Sequence, residues 1–309
     1  MRWALIPKAA RRRLRSSWVD MTTHAERSTE HVSSSLRVLG DDDLAAAARH
    51  LAADPIANAF VAARVEASIE RSWRLGGELW GFGHGRQWSG LCYAGANLVP
   101  DAAEPEAILA FAERARRRGR RCSSIVGPRE QVRLLWGQLQ DAWGPAREVR
   151  DDQPLLALSH DPLIAGDPAV RRVREDELDI LMPACIDMFA EEVGVSPLVG
   201  GDGSLYRARV RELVLSGRAI ARIEGGQVMF KAELGSVSSQ VCQVQGVWVR
   251  PELRGQGLSA PGMAAVVSYA REFFSPTVSL YLNSYNEAAR RTYDRVGFTE
   301  LGRFATVLF

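Results

Sequence analysis

Apolar and polar positions along this chain switch between a helical spacing and a strict alternation, and each switch marks an element. The pattern is clearest from residue 169 onward. Residues 170–174 predict a short strand, and 175–192 carry apolar positions at helical spacing, in a helix that Pro183 can kink. Residues 205–216 predict a second helix. The segments 219–223 and 227–233 alternate around Gly225-Gly226, which predicts a β-hairpin. A strand over 240–250, a helix over 259–274, a strand over 278–282, a helix over 286–296 and a closing strand over 303–309 complete the half. The fold class is therefore α+β, a central mixed sheet flanked by helices.

Residues 36–159 repeat this plan more faintly. Gly76-Gly77-Glu78-Leu79-Trp80 parallels Gly225-Gly226-Gln227-Val228-Met229, and Trp143-Gly144-Pro145 parallels Val296-Gly297-Phe298, both at an offset of about 150 residues. Between the halves, residues 160–168 contain two Asp-Pro steps and a glycine, a composition that breaks regular structure. The expected organisation is a basic and polar disordered tail over 1–35, an N-terminal domain over 36–159, a linker over 160–168 and a C-terminal domain over 169–309. Folded patterning begins only near Leu36, so either Met1 or Met21 serves as a start.

Composition narrows the function classes. A chain of 309 residues with 46% hydrophobic and 25% charged residues can bury a core in each half. A net charge of +2 is too small to point to nucleic acid. Cys92, Cys122, Cys185 and Cys242 are scattered without metal-ligand spacing, so free thiols in a reducing cytoplasm and no metal are expected. No apolar run is long enough for a bilayer span. The basic run Arg11-Arg12-Arg13-Leu14-Arg15 lacks the apolar segment of a signal peptide. Oligomeric state leaves no mark on the sequence.

The segment richest in chemistry joins an apolar strand (Val247, Trp248, Val249) through Pro251 to Arg254-Gly255-Gln256-Gly257-Leu258-Ser259, where a helix begins. Glycines let the backbone turn tightly and bring its N–H groups to a ligand. A helix N-terminus adds unpaired donors and a partial positive charge, and Arg254 adds a full one; together they suit a pyrophosphate. A dinucleotide fingerprint fails for want of its third glycine and downstream acid, and a Walker loop for want of Gly-Lys-Ser/Thr. Ser259 is small enough for this turn and suited to capping the helix.

This segment resembles the Arg/Gln-x-x-Gly-x-Gly/Ala motif of the GNAT acetyltransferase superfamily. The resemblance is strengthened by Leu280-Tyr-Leu-Asn-Ser-Tyr-Asn286 and the following helix with Tyr293 and Gly297-Phe298. It covers residues 170–309 in outline and 243–298 closely. The N-terminal half has no such turn and resembles a degenerate GNAT-like domain, as in tandem GNAT proteins of actinobacteria.

The resemblance implies acetyl-CoA as co-substrate and an N-acetyltransferase acting on a primary amine of a small molecule or peptide. It implies that Val247, Trp248 and Val249 offer main-chain contacts to the pantetheine arm, with one N–H polarising the acetyl carbonyl. The amides of Gly255, Gln256, Gly257, Leu258 and Ser259 would hold the pyrophosphate. Tyr293 would protonate the leaving thiolate, since a phenol stays protonated at neutral pH. Asn286 would cap its helix and contact the cofactor. The strand before the turn carries no acid, so the general base is sought in Glu233, directly or through water. Glu191 and Glu192 are candidates for the acceptor's ammonium. Two other readings stay open: a non-catalytic acyl-CoA-binding module, and an aminoacyl-tRNA-dependent transferase on the same fold, which would bind tRNA with strong salt dependence.

Other features read as structural. Arg114-Ala-Arg-Arg-Arg-Gly-Arg-Arg121 suits the solvated end of a helix, His84 lacks partners at metal spacing, and Trp73, Trp80, Trp88, Trp136 and Trp143 suit a core.

Overall fold

The computed structural model describes residues 35–71, 75–198, 201 and 203–309. The tail expected over 1–35 lies, apart from Ser35, outside the described residues, as do Met21 and Trp73. The N-terminal half runs β1 (Ser35–Val38), α1 (Leu44–Leu51), α2 (Ala59–Arg71), β2 (Glu78–His84), β3 (Gln87–Ala94), β4 (Asn97–Ala102), α3 (Pro105–Arg118), β5 (Ser124–Pro128), α4 (Arg129–Trp143) and β6 (Glu148–Leu158). The C-terminal half repeats that order: β7 (Val170–Arg172), α5 (Leu178–Val193), α6 (Ser204–Leu215), β8 (Ala219–Glu224), β9 (Gln227–Val237), β10 (Val241–Val249), α7 (Ser259–Phe273), β11 (Thr277–Tyr281), α8 (Glu287–Val296) and β12 (Thr299–Leu308).

The duplication is therefore present, but one of its sequence signs points to the wrong place. Gly225-Gly226 turns β8 into β9, so its counterpart is the turn after His84 between β2 and β3, not Gly76-Gly77 before β2. The second sign holds, because Gly144 and Gly297 both follow the last helix of their half with positive φ. A third sign went unread. Each half opens with a strand arginine and a carboxylate six positions later at a 3₁₀ turn: Arg37 grips Asp43, and Arg171 grips Glu177. In both, the same carboxylate accepts a main-chain N–H, from Gly40 or Arg174, and so closes the turn into the following helix.

All strands form one sheet in the order β1-β2-β3-β4-β5-β12-β6-β11-β10-β9-β8-β7. The halves exchange their last strands. β12 lies between β5 and β6, and β6 lies between β12 and β11, all antiparallel. Leu156 and Leu158 of β6 are accordingly buried in the core under α7 and α8, while Ala305 and Val307 of β12 are buried in the core of α3 and α4. Helices cover both faces, so strand residues such as Leu79 and Trp80 enter opposite cores, and the strands read as nearly continuous apolar runs. The segment 160–168 packs onto the C-terminal half, with Leu163 and Asp167 donating to the carbonyls of Val296 and Pro261. Among the described residues no helix is long and apolar enough to cross a membrane.

Candidate active site

The site begins where two parallel strands part. β10 and β11 pair only over Val241–Thr277, Cys242–Val278 and Gln243–Ser279. Beyond Gln243 no ladder joins them, and the edge of β10 over 244–249 is left open toward the gap. On its other side β10 stays paired to β9, but the register slips between Gln245 and Trp248. Gly246, at φ 59°, sits in this bulge, which bends the strand away from β11. Val247 and Val249 are half-buried, and Trp248 is buried against α5, its indole Nε1 donating to Glu191 at 3.4 Å.

After β10 the 3₁₀ turn Pro251–Leu253 delivers Arg254 and the glycines. Gly255 and Gly257 have φ of 78° and 83°, and open space surrounds the position of a Cβ at each. The amides of Gly255, Gly257 and Leu258 have no acceptor among the described residues, and α7 starts without a side-chain cap. Free amides at a helix N-terminus form an anion nest, and these residues fit a pyrophosphate on that ground. Ser259 does not cap the helix as expected; it already lies within α7, and its hydroxyl meets Thr292 Oγ1 at 2.9 Å. Gln256 turns back to the carbonyl of Glu252. Arg254 donates from Nε to the Val249 carbonyl at 3.0 Å and from Nη2 to both oxygens of Glu191 at 2.8 and 2.9 Å.

Three carboxylates stand by this gap in different surroundings. Glu191 is held by Arg254. Glu233 on β9 is buried and paired at 2.6 Å with Lys231, which is fully buried; Gln245 and Cys185 also bond it, at 3.4 and 3.7 Å. Burial alone would depress the Lys231 ammonium, but Glu233 beside it raises it instead. Burial pushes the Cys185 thiol up to about 12, so it stays protonated. Glu192, at the end of α5, has no partner for its carboxylate among the described residues. Arg150, from β6 of the other half, donates to its main-chain oxygen at 2.6 Å. Burial raises the Glu192 carboxyl above the usual range, against the pull of Arg150 and Lys231. Glu192 is nonetheless an exposed residue, and solvent screens the rise, leaving only its upward direction.

Tyr293 on α8 is buried, with its ring edge-on to Phe298 at 5.7 Å. Its hydroxyl makes no hydrogen bond among the described residues. Burial and then the charge of Glu192 raise its pKa well above the usual phenol value. The same causes, in the same order, push Tyr281 at the end of β11 up to about 12. Glu192 thus acts electrostatically on both tyrosines at the gap. Asn286 caps α8, accepting from the Ala289 N–H at 3.1 Å.

Sequence reasoning missed Lys231, Gln245, Tyr281 and Arg150. Lys231 left a signal, a lone cation inside the apolar run of β9; Arg150 left none, because only the strand exchange brings it here. The corresponding gap in the N-terminal half is blocked. β4 and β5 also pair only at their starts, but Gln131 of α4 accepts from the Ala102 N–H there, and β4 passes to α3 without a glycine turn. Within α3, Arg114 and Arg118 of the basic run pair with Glu78.

Residues 206–298 match the family model for the acetyltransferase (GNAT) family, and residues 77–181 match a domain of unknown function. A sequence comparison with curated proteins gave no match. Solved structures resemble the chain over nearly all of both lengths. A GCN5-related N-acetyltransferase from Sphaerobacter thermophilus is 15% identical, with 88% of this chain and 94% of that one covered and a TM-score of 0.55. A GNAT-family acetyltransferase from Colwellia psychrerythraea is 13% identical, with 89% and 99% covered and a TM-score of 0.53. A tandem GNAT protein from the clavulanic acid biosynthesis pathway is 15% identical, with 89% and 98% covered and a TM-score of 0.52. At these identities the likeness is one of fold. The chain therefore carries a GNAT-family acetyltransferase domain in its C-terminal half, within the fold of tandem GNAT proteins.

Proposed function

We propose that this protein is an N-acetyltransferase that moves the acetyl group of acetyl-CoA to a primary amine of a small molecule or peptide by direct attack. The observation that carries the reading is one gap that joins an amide-lined phosphate turn to an unpaired carboxylate and a protonated tyrosine. Acetyl-CoA would supply an activated thioester acyl group there. Its pyrophosphate fits the free amides of Gly255, Gly257 and Leu258 with Arg254, while the Gln256 amide, expected to join them, is already bonded to the Leu253 carbonyl; its pantetheine arm fits the open edge of Val247, Trp248 and Val249, and Asn286 borders the same groove. Anion binding would draw Arg254 from Glu191, since both compete for one guanidinium.

Glu192 is the base in this reading. It alone among the three carboxylates has no cation bonded to it, and a carboxyl raised above its usual range is a stronger base toward the acceptor's ammonium. Glu233, already neutralised by Lys231, shapes the field around the acceptor and can position water; Glu191 serves the phosphate turn. Tyr293 Oη keeps its proton at any physiological pH and offers it to the departing sulfur. Free thiols at all four cysteines support a reducing compartment, the cytoplasm.

Calorimetric titration of acetyl-CoA into the wild type and a Gly257→Glu variant tests the cofactor site, with release of CoA thiol in an amine panel as the second readout. Tight binding lost in the variant is the expected result. A wild type that binds neither acetyl-CoA nor longer acyl-CoAs would sink the enzyme reading.

A further inference from the structure

Away from the gap, a cavity of about 220 Å³ opens in the N-terminal half between the end of α3, the approach to β5 and the end of α4. Its large apolar walls are Trp80 of β2, Leu98 of β4 and Trp143, the last residue of α4. It sits where β4 and β5 begin as a pair, Leu98 beside Ile125, and not at their blocked gap near Ala102. It therefore does not correspond to the gap and phosphate turn of the C-terminal half.

The two tryptophans present themselves differently. Trp80 is buried and its indole N–H already donates to Glu78 at 2.8 Å, so it offers a ring and no donor. Trp143 stands edge-on to Phe309 at 5.7 Å, and its buried indole N–H has no acceptor among the described residues. A buried donor of this kind lacks a partner, and a ligand oxygen beside Trp143 would supply one. Where the cavity meets solvent its lining turns basic, with Arg118 and Arg121 of the run that ends α3. Arg118 is bound to Glu78 at 2.8 Å, a carboxylate it shares with Arg114 at 3.3 Å. Arg121 is exposed and has no carboxylate partner among the described residues. Its neighbour Arg120 stacks on Phe309, 4.7 Å from the ring centre, and adds to the positive charge on that side.

Aromatic walls beneath an unpaired guanidinium select for shape and charge together. A dry cavity of about 150 Å³ takes benzene, so one of this size takes a single ring or a fused pair with a short arm. Flat rings packed on tryptophan gain more than their buried area alone supplies. An arginine's planar fork matches a carboxylate with two parallel hydrogen bonds. We propose that this cavity binds a small aromatic carboxylate, its ring against Trp80 and Trp143 and its carboxylate at Arg121. The basic run, expected only as a solvated helix end, then has a ligand of its own, and the N-terminal half is a binding domain in its own right.

The probe is indole-3-acetate, applied to the full chain, with its uncharged alcohol counterpart tryptophol and with acetate as controls. Calorimetry at constant ionic strength is expected to show saturable binding of indole-3-acetate, and binding at least tenfold weaker for either control. Arg121→Gln should weaken indole-3-acetate at least tenfold with circular dichroism unchanged, since a charge-assisted hydrogen bond at the mouth carries at least that factor. Cys122 reports the place. It lines the cavity and is half-buried, whereas Cys92, Cys185 and Cys242 are buried. Burial raises its thiol, so alkylation with iodoacetamide is followed at alkaline pH by peptide mass spectrometry. Saturating probe should slow that alkylation at least tenfold. Indole-3-acetate that does not bind, binds no better than tryptophol, binds Arg121→Gln as tightly or leaves Cys122 alkylation unchanged overturns the proposal. None of these readouts involves acetyl-CoA, so they stand apart from the titration that tests the enzyme reading.

Discussion

Glu191, Glu192 and Glu233 differ less in type than in what holds them. Glu191 faces the guanidinium of Arg254 and Glu233 the ammonium of Lys231, so each has a cation bonded to it. Glu192 carries the raised pKa, and its consequence is a rate profile. The acid limb of kcat/KM is expected above the ordinary carboxylate range, because the base works only once deprotonated. Glu192→Gln should lower kcat by about a hundredfold and remove that limb. Arg150→Ala, which takes away a positive charge that favours the carboxylate, should move the limb to higher pH. Stability answers to pH through other residues. Arg37 holds the Asp43 carboxyl at about 2, and Arg171 holds Glu177 at about 2. Depressed carboxyls stabilise the fold above their unfolded pKa of about 4, and that contribution is lost as pH falls toward 2. In thermal melts the Asp43→Asn, Glu177→Gln double variant should melt lower at pH 7 and lose part of the wild type's decline between pH 4 and 2.

Elements carry the next set of constraints. α7 can lie close on the sheet because Gly262 has no side chain. A Cβ there would meet three atoms of the Phe230 ring at 3.0 Å, inside a fully packed core. Gly262→Ala should therefore destabilise the protein by about 1–3 kcal/mol through overpacking. Urea unfolding with an unchanged slope would show this, and an unaltered midpoint would refute it. Gly257 is the opposite case, since open space surrounds it and its demand is conformational, a φ of 83°. Gly257→Glu should abolish acetyl-CoA binding while leaving the melting temperature within about 4 °C, the effect of about 1 kcal/mol. The sequence named this turn and nearly every helix and strand of the C-terminal half, because periodicity and glycine placement are local signals. It mistook the partner of Gly225-Gly226, because a glycine pair says that a turn exists and not which strands it joins.

At the scale of the whole molecule, the exchanged strands make each half incomplete. Without β6 there is nothing between β11 and β12, and without β12 the edge of β5 is bare. A chain of residues 169–309 alone would expose Val278 and Leu280 beside an unpaired ladder, and is expected to be insoluble or unfolded. Produced together with residues 35–168, it should recover as a non-covalent complex that elutes as one species. Independent folding of either half would show that the exchange is dispensable.

Sequence by itself determined the elements, the duplicated plan and the glycine turn with its arginine before α7, since these depend on neighbours within a few residues. It also determined that Asn286 caps a helix, for the same reason. Tertiary structure alone decided which carboxylate is unpaired among the described residues, that Ser259 answers Thr292, and that Arg150 of one half reaches Glu192 of the other. Such pairings join residues scores of positions apart, and nothing in local spacing specifies which distant strand or cation a side chain will meet once the sheet closes around β6 and β12.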